Sequence, residues 1–293
     1  MAQAGSATVN AAPSRAGDLV RAIETARAAI AARTSVHPEV AIILGTGLGR
    51  FTAAMREPDV IPYAEIPGFP TTTVEGHAGE LVLGTLGGRP AAVLNGRVHY
   101  YEGYSMAEVA FPVRVARALG ARTLIATNAA GGMNPLYAPA DIVAVVDHVN
   151  LMGDNPLVGK NEEALGPRFP DMSEPYDRAW LALAKQVALE EGIPLREGVL
   201  AGVAGPNLET RAEYRFLRWA GADLVAMSLI PEAIAAVHGG MRVLAFAVVT
   251  DLCLPDALEP VNVPQVLANA AKAEPLLTRL VTRILERMPA AEG

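Results

Sequence analysis

The feature that most constrains this chain is an alternation of short, unbroken apolar runs with amphipathic stretches, from residue 17 almost to the C-terminus. Val40-Ala-Ile-Ile-Leu44, Ala91-Ala-Val-Leu94, Thr123-Leu-Ile-Ala126 and Val243–Val249 show no apolar–polar alternation. Strands of that kind are buried on both faces, as in a parallel sheet covered by helices on either side. Residues 17–33 place Leu19, Ile23, Ala26 and Ile30 on one helical face, and Ser105-Met-Ala-Glu108 has capping-box spacing at the start of a helix that stops near Gly120. Further strands are expected at 142–146, 199–204 and 223–227. Further helices are expected at 176–192, 209–220, 231–238 and 263–287, the last with Val266, Ala270, Leu277, Leu280 and Ile284 inward. Leu81-Val-Leu83 and Ala91–Leu94 flank Gly87-Gly88 and read as a hairpin. Residues 150–174 are too long for an ordinary connection and suggest a lid or an intersubunit loop. With no repeat and no low-complexity linker, the expectation is an α/β single domain: a mixed, mostly parallel central sheet flanked by helices on both faces.

Composition narrows the function. The 293 residues are 51% hydrophobic but only 5% aromatic, so Ala, Val, Leu and Ile must build the core. A net charge of −7 leaves no basic stripe for a nucleic acid, yet permits a small anion held by local cations. The single cysteine, Cys253, excludes an internal disulfide and a zinc–cysteine cluster, and reads as a small buried thiol. Residues 1–16 are small and polar, a flexible N-terminus without signal-peptide character. No apolar run reaches membrane-spanning length, so a cytoplasmic protein with no membrane partner is expected.

Chemistry is concentrated in Asn95-Gly-Arg-Val-His-Tyr-Tyr-Glu-Gly-Tyr104, which packs Arg97, His99, Tyr101 and Glu102 beside a buried strand. If that segment stays extended, Arg97, His99 and Tyr101 project to one side. Asn128-Ala-Ala-Gly-Gly132 reads as a small-residue elbow ending another strand. A guanidinium and an imidazole near such backbone donors are what holds an inorganic oxyanion, which points to a phosphate-handling enzyme. Gly45-Thr-Gly-Leu-Gly49 is either a tight turn or an anion cradle; Arg50 stands where a dinucleotide fingerprint needs its third glycine. His77, in Thr71–Gly79, reads by itself as part of a surface turn, although its glycine neighbours let the ring reach over a ligand. Glu209, in Gly205-Pro-Asn-Leu-Glu-Thr210, either complements a helix dipole or accepts from a ligand N–H pair. Met227-Ser228 and Thr250-Asp251 end two more strands, where open α/β sheets place ligands.

Together with Gly76-His-Ala-Gly79, these motifs resemble those of the trimeric purine nucleoside phosphorylase family, which includes the 5′-methylthioadenosine phosphorylases, from about Val40 to the C-terminal helix. The resemblance implies a homotrimer of single domains, here residues 17–288. Such a protein serves purine salvage by cleaving a purine ribonucleoside with orthophosphate to free base and α-ribose 1-phosphate, without metal or organic cofactor. It implies a phosphate site of Thr46, His77, Arg97, His99, the Ala129 backbone N–H and Ser228. It implies a nucleoside site of Tyr101, Ala130, Gly131, Leu208, Glu209, Met227, Asp251 and Val263, with His99, Glu102 and Asp251 catalytic. Departures from the family pattern stand at four places. Asp251 replaces the Asn of 6-oxopurine enzymes and matches the methylthioadenosine enzymes, whereas Glu209 is the 6-oxopurine signature. The segment Pro260–Leu267 lacks the histidine that meets the 5′-hydroxyl, Val261 and Val263 making that corner apolar, and Leu165 and Leu208 replace aromatics. Inosine or guanosine is the expected substrate, because an ionised Glu209 would repel the bare ring nitrogen of adenine. Adenosine or 5′-methylthioadenosine is the alternative, and a non-catalytic nucleoside-binding protein the alternative from another class.

Overall fold

Each unbroken apolar run becomes a buried strand. The computed structural model describes residues 17–73 and 78–289, so the reading of 1–16 as flexible and the placement of His77 lie outside the described residues. The strands are β1 (Val40–Ile43), β2 (Arg56–Pro62), β3 (Glu80–Leu86), β4 (Arg89–Asn95), β5 (Thr123–Gly132), β6 (Ile142–Leu151), β7 (Leu195–Val203), β8 (Leu224–Ala226) and β9 (Arg242–Leu252). The helices are α1 (Asp18–Ala31), α2 (Met106–Leu119), α3 (Arg178–Glu190), α4 (Arg211–Trp219), α5 (Ile230–His238) and α6 (Val263–Arg287). Ser105 caps α2 with the expected box, its hydroxyl accepting from the Glu108 N–H.

The strands run in the order β2-β3-β4-β1-β5-β8-β7-β6-β9, and β9 pairs again with β5, so the last five close into a ring. Pairing is parallel for β4–β1, β1–β5, β5–β9, β6–β7 and β7–β8. It is antiparallel in the β2–β3–β4 meander and at β5–β8 and β6–β9. The single-domain α/β architecture with a mixed sheet is the one expected. Ring closure has no signature in hydrophobic pattern, since a strand buried in a ring and one buried in an open sheet are equally apolar.

Three local differences have physical causes. β2 is not among the expected strands: it carries Pro58, Pro62 and five exposed residues, and as the sheet's edge it tolerates prolines that a central strand would not. The elbow at Asn128–Gly132 is instead the continuation of β5, which pairs with β9 through a register shift between Ala130 and Gly131. Small residues are needed there because a Cβ on Gly131 would lie 2.5 Å from Cys253 Sγ. The Gly87-Gly88 turn does close a β3–β4 hairpin, with φ of 56° and 77° at the two glycines, as a type I′ turn requires. The long stretch after β6 packs on the chain's own core through Leu157, Leu165 and Met172. None of its residues lines the cavity described next.

Candidate active site

Because β4, β1, β5 and β9 are parallel neighbours, their C-terminal ends share one rim, where open α/β sheets bind ligands. A cavity of about 440 Å³ opens there. Thr46, Arg97, His99, Tyr101, Ala129, Ala130, Gly131, Leu208, Glu209, Met227, Ser228, Asp251 and Val263 all line it.

Part of the lining is cationic and hydroxylic. β4 stops at Asn95, Gly96 turns with φ 108°, and Arg97 enters the cavity floor. Its Nη1 donates to Ser228 Oγ at 3.0 Å, while Nε meets Glu232 Oε1 at 3.0 Å. The two charged side chains are 4% and 2% exposed. Burial pulls the guanidinium below its ordinary range and Glu232 opposes that pull; a guanidinium keeps its charge regardless. Glu232 thus anchors the cation from behind. Ser228 is followed by Leu229, a fully buried residue held at φ 76° between β8 and α5. A bulky side chain in that region is strained and persists only where packing enforces it.

His99 is clamped. Its Nδ1 lies 2.9 Å from Glu102 Oε1, which also accepts the His99 backbone N–H at 2.8 Å. The other Glu102 oxygen accepts from the Thr73 N–H at 2.8 Å and hydroxyl at 2.6 Å. Burial raises the Glu102 carboxyl, but these bonds outweigh it and hold the group at about 2. An ionised partner makes Nδ1 the donor. Tyr101 stacks on the imidazole at 4.8 Å and 13°. Burial, reinforced by Glu102, lifts its phenol to about 12, so it stays neutral.

Two expectations change here. The segment is extended only as far as His99, because Tyr100–Glu102 coil into a 3-10 turn closed by Gly103 at φ 96°. Tyr101 still reaches the cavity, through that turn. Glu102, grouped above with the catalytic residues, bonds to His99 and is not among the residues that line the cavity. Its depressed titration gives a sign: the native state favours the ionised form, so its stabilisation is complete above the ordinary 4.5 and is lost as pH falls toward 2. Glu102→Gln is expected to flatten the acid limb of thermal stability in that window, measured by unfolding across pH.

The lining also carries the carboxylates of Glu209 and Asp251 and the apolar side chains of Leu208, Val261, Val263 and Val266. Thr250 Oγ1 donates to Asp251 Oδ1 at 2.8 Å, and Cys253 Sγ donates to Asp251 Oδ2 at 3.2 Å. Burial raises the Glu209 carboxyl against the hydrogen bonds it accepts from its own backbone N–H and from Tyr214. Met227 packs where Gly205 turns with φ 65°; a Cβ there would lie 2.2 Å from its Sδ.

Sequence reading missed Glu232, Tyr214 and the cavity-lining position of Cys253. Glu232 did leave a signal: it is the one carboxylate in the apolar stretch Ile230–Val237, and a buried carboxylate demands a cation. Tyr214 and Cys253 left none, because a buried phenol and thiol are ordinary core residues.

Residues 39–286 match the family model described as the phosphorylase superfamily. The chain is 45% identical to purine nucleoside phosphorylase 1 of Bacillus subtilis (strain 168), over 90% of this chain and 97% of that one. It is also 45% identical to the purine nucleoside phosphorylase of Mus musculus, over 87% and 91%. Two crystal structures of the Schistosoma mansoni purine nucleoside phosphorylase, one in complex with inosine and one with adenosine, each superpose with a TM-score of 0.88 at 41% identity. Both cover 92% of this chain, and the match spans 97% of the inosine-bound and 98% of the adenosine-bound chain. With a match of this extent, the chain belongs to the purine nucleoside phosphorylase family of the phosphorylase superfamily.

Proposed function

We propose that this chain cleaves the N-glycosidic bond of 6-oxopurine ribonucleosides, inosine and guanosine, with orthophosphate as co-substrate and with no metal or organic cofactor. The observation that carries the reading is the make-up of one cavity: a buried guanidinium, imidazole and hydroxyl and two carboxylates all line it. Phosphate held by Thr46, Arg97, His99, the Ala129 N–H and Ser228 sits where positive charge develops on the ribose. It stabilises that charge and then captures it, already in place. Tyr101 and Met227 flank the sugar. Glu209 accepts from the ring N–H of the base, and Asp251 faces its imidazole side, where protonation or hydrogen bonding eases departure. His77 belongs to the phosphate site on the family pattern alone.

A second reading has its own observation. Both Asp251 oxygens already accept hydrogen bonds, so a 6-amino donor suits them, and Val261 and Val263 suit a 5′-methylthio group. The structures of the Schistosoma enzyme with inosine and with adenosine support keeping both. Ranking base release from guanosine, inosine, adenosine and 5′-methylthioadenosine decides between them. Asp251→Asn is expected to raise the ratio of inosine to adenosine cleavage; an unchanged ratio removes Asp251 as a base reader. We further propose a cytoplasmic homotrimer. Supporting it are Phe169 and Val158, 88% and 75% exposed on the loop between β6 and α3, an apolar surface that a neighbouring subunit would cover. No helix among the described residues is long and apolar enough to cross a membrane.

A further inference from the structure

The loop Gly45–Gly49 is supported at its start, its middle and its end. At the start, the Gly45 N–H donates to Thr127 Oγ1 of β5 at 3.1 Å. In the middle, Gly47 turns with φ 79° against α6, where a Cβ would lie 2.8 Å from the Ala270 Cβ. Thr46, between these two points, lines the cavity with Arg97, His99 and Ser228. At the end, the chain coils into a 3-10 helix, Gly49–Ala54, and the third support is made there.

The start of a helix leaves backbone N–H groups without partners, and a polar side chain just before it normally accepts one of them. Leu48 occupies that place, buried at 1% exposure, and its side chain offers no acceptor. Glu274, one turn beyond Ala270 on α6, supplies the acceptor from 224 positions beyond Arg50. Its Oε1 accepts the Arg50 N–H at 2.7 Å and the Phe51 N–H at 3.1 Å. These are the second and third residues of the 3-10 helix, the positions that a local cap would serve. Glu274 is itself buried, and a carboxylate is costly to bury unless it is hydrogen-bonded. The same helix reaches the cavity rim by a separate contact: Asn269 Nδ2 donates to the Thr250 carbonyl at 2.7 Å, next to Asp251.

We propose that Glu274 is a positioning residue for phosphate: by capping the 3-10 helix from α6 it fixes the far side of the glycine loop, and with it the place of Thr46. This rests on the reading of Thr46 as a phosphate ligand. Backbone N–H groups ask for an acceptor at the right distance, so the length of the side chain matters more than its charge. The end of β9 has its own tie to α6 through Asn269, so the effect falls on phosphate and spares the nucleoside.

Three variants separate reach from charge. Each is read as the KM for phosphate at saturating nucleoside and the KM for the fastest-cleaved nucleoside at saturating phosphate. Glu274→Ala removes the acceptor, and Glu274→Asp draws it back while keeping the charge. Both are expected to raise the KM for phosphate, by about tenfold and about fivefold, with the nucleoside KM within about twofold of wild type. Glu274→Gln keeps an acceptor oxygen at full reach and is expected to hold both values within about threefold of wild type. An unmoved phosphate KM in the Ala and Asp variants, or a Gln variant as impaired as Ala, would overturn the proposal. So would an equal rise in both KM values, which would make Glu274 a support of the whole fold. If Glu274→Ala does not fold, the Asp and Gln variants decide by the same criteria. Base release by the wild type that ignores phosphate would remove the phosphate site itself, and the proposal with it. Phosphate dependence in the wild type with flat values in the variants would remove Glu274 alone.

Discussion

Arg97→Gln is expected to lower kcat/KM for phosphorolysis by about 10²–10³-fold or more, the loss that follows removal of one preorganised charge-stabilising donor. The effect has two parts that a second substitution separates. Arg97 is a cation in the cavity lining, bonded to Ser228, and it is also the buried counter-ion of Glu232. Removing it leaves Glu232 uncompensated at 2% exposure, and breaking a buried pair from one side costs about 3–5 kcal/mol of stability. The double variant Arg97→Gln, Glu232→Gln replaces the ion pair by two amides and is expected to regain much of the melting temperature. Activity should stay low, with the KM for phosphate raised. Recovery of activity along with stability would mean that Arg97 serves the fold and not the anion.

The two end glycines of Gly45-Thr-Gly-Leu-Gly49 are expected to respond in opposite ways to alanine. A Cβ on Gly45 would lie 2.7 Å from Asn128 Cα and 3.1 Å from the Thr127 carbonyl oxygen, both backbone atoms of the adjacent strand. That approach is fixed by Thr127, whose hydroxyl donates to the Ile43 carbonyl at 2.8 Å and accepts the Gly45 N–H at 3.1 Å. Backbone cannot rotate away, so Gly45→Ala must part β1 from β5, at a cost of about 1–3 kcal/mol or more. The same displacement separates Thr46 from Ala129, so the KM for phosphate should rise. At Gly49 the nearest atom to a Cβ is Asn95 Oδ1, 3.9 Å away. Gly49→Ala is expected to leave activity intact and to add about 0.4–1 kcal/mol through the unfolded chain. Melting temperatures and phosphate KM values of the two variants, measured side by side, check both expectations.

Most of the architecture was legible because burial on two faces leaves its mark in unbroken apolar runs, and the strands that form the rim are of that kind. The two misses in the sheet are the cases where that mark fails. β2 is an exposed, proline-bearing edge, and the reach of β5 beyond Ala126 is governed by two glycines and two alanines that carry no strand preference. At the site, residues with functional chemistry such as Arg97, His99, Glu209 and Asp251 stood out because their side chains are costly to place beside a core without a reason. What did not stand out were partners brought in by tertiary contact: Glu232 lies 135 positions beyond Arg97, and Tyr214 with Cys253 looks like core until the cavity brings both into one lining with Glu209 and Asp251. Glu102 shows the converse. It stood out for its chemistry, and only the structure revealed that it bonds to His99 and lies outside the cavity lining.

The most direct test of the account is base release from inosine with and without orthophosphate, with ribose 1-phosphate followed in the same samples. Strict dependence on phosphate, with one ribose 1-phosphate formed per base, is the expected result. Base release that proceeds equally without phosphate, or tight nucleoside binding with no release in its presence, would contradict the reading of Arg97, His99 and Ser228 as the seat of the attacking anion.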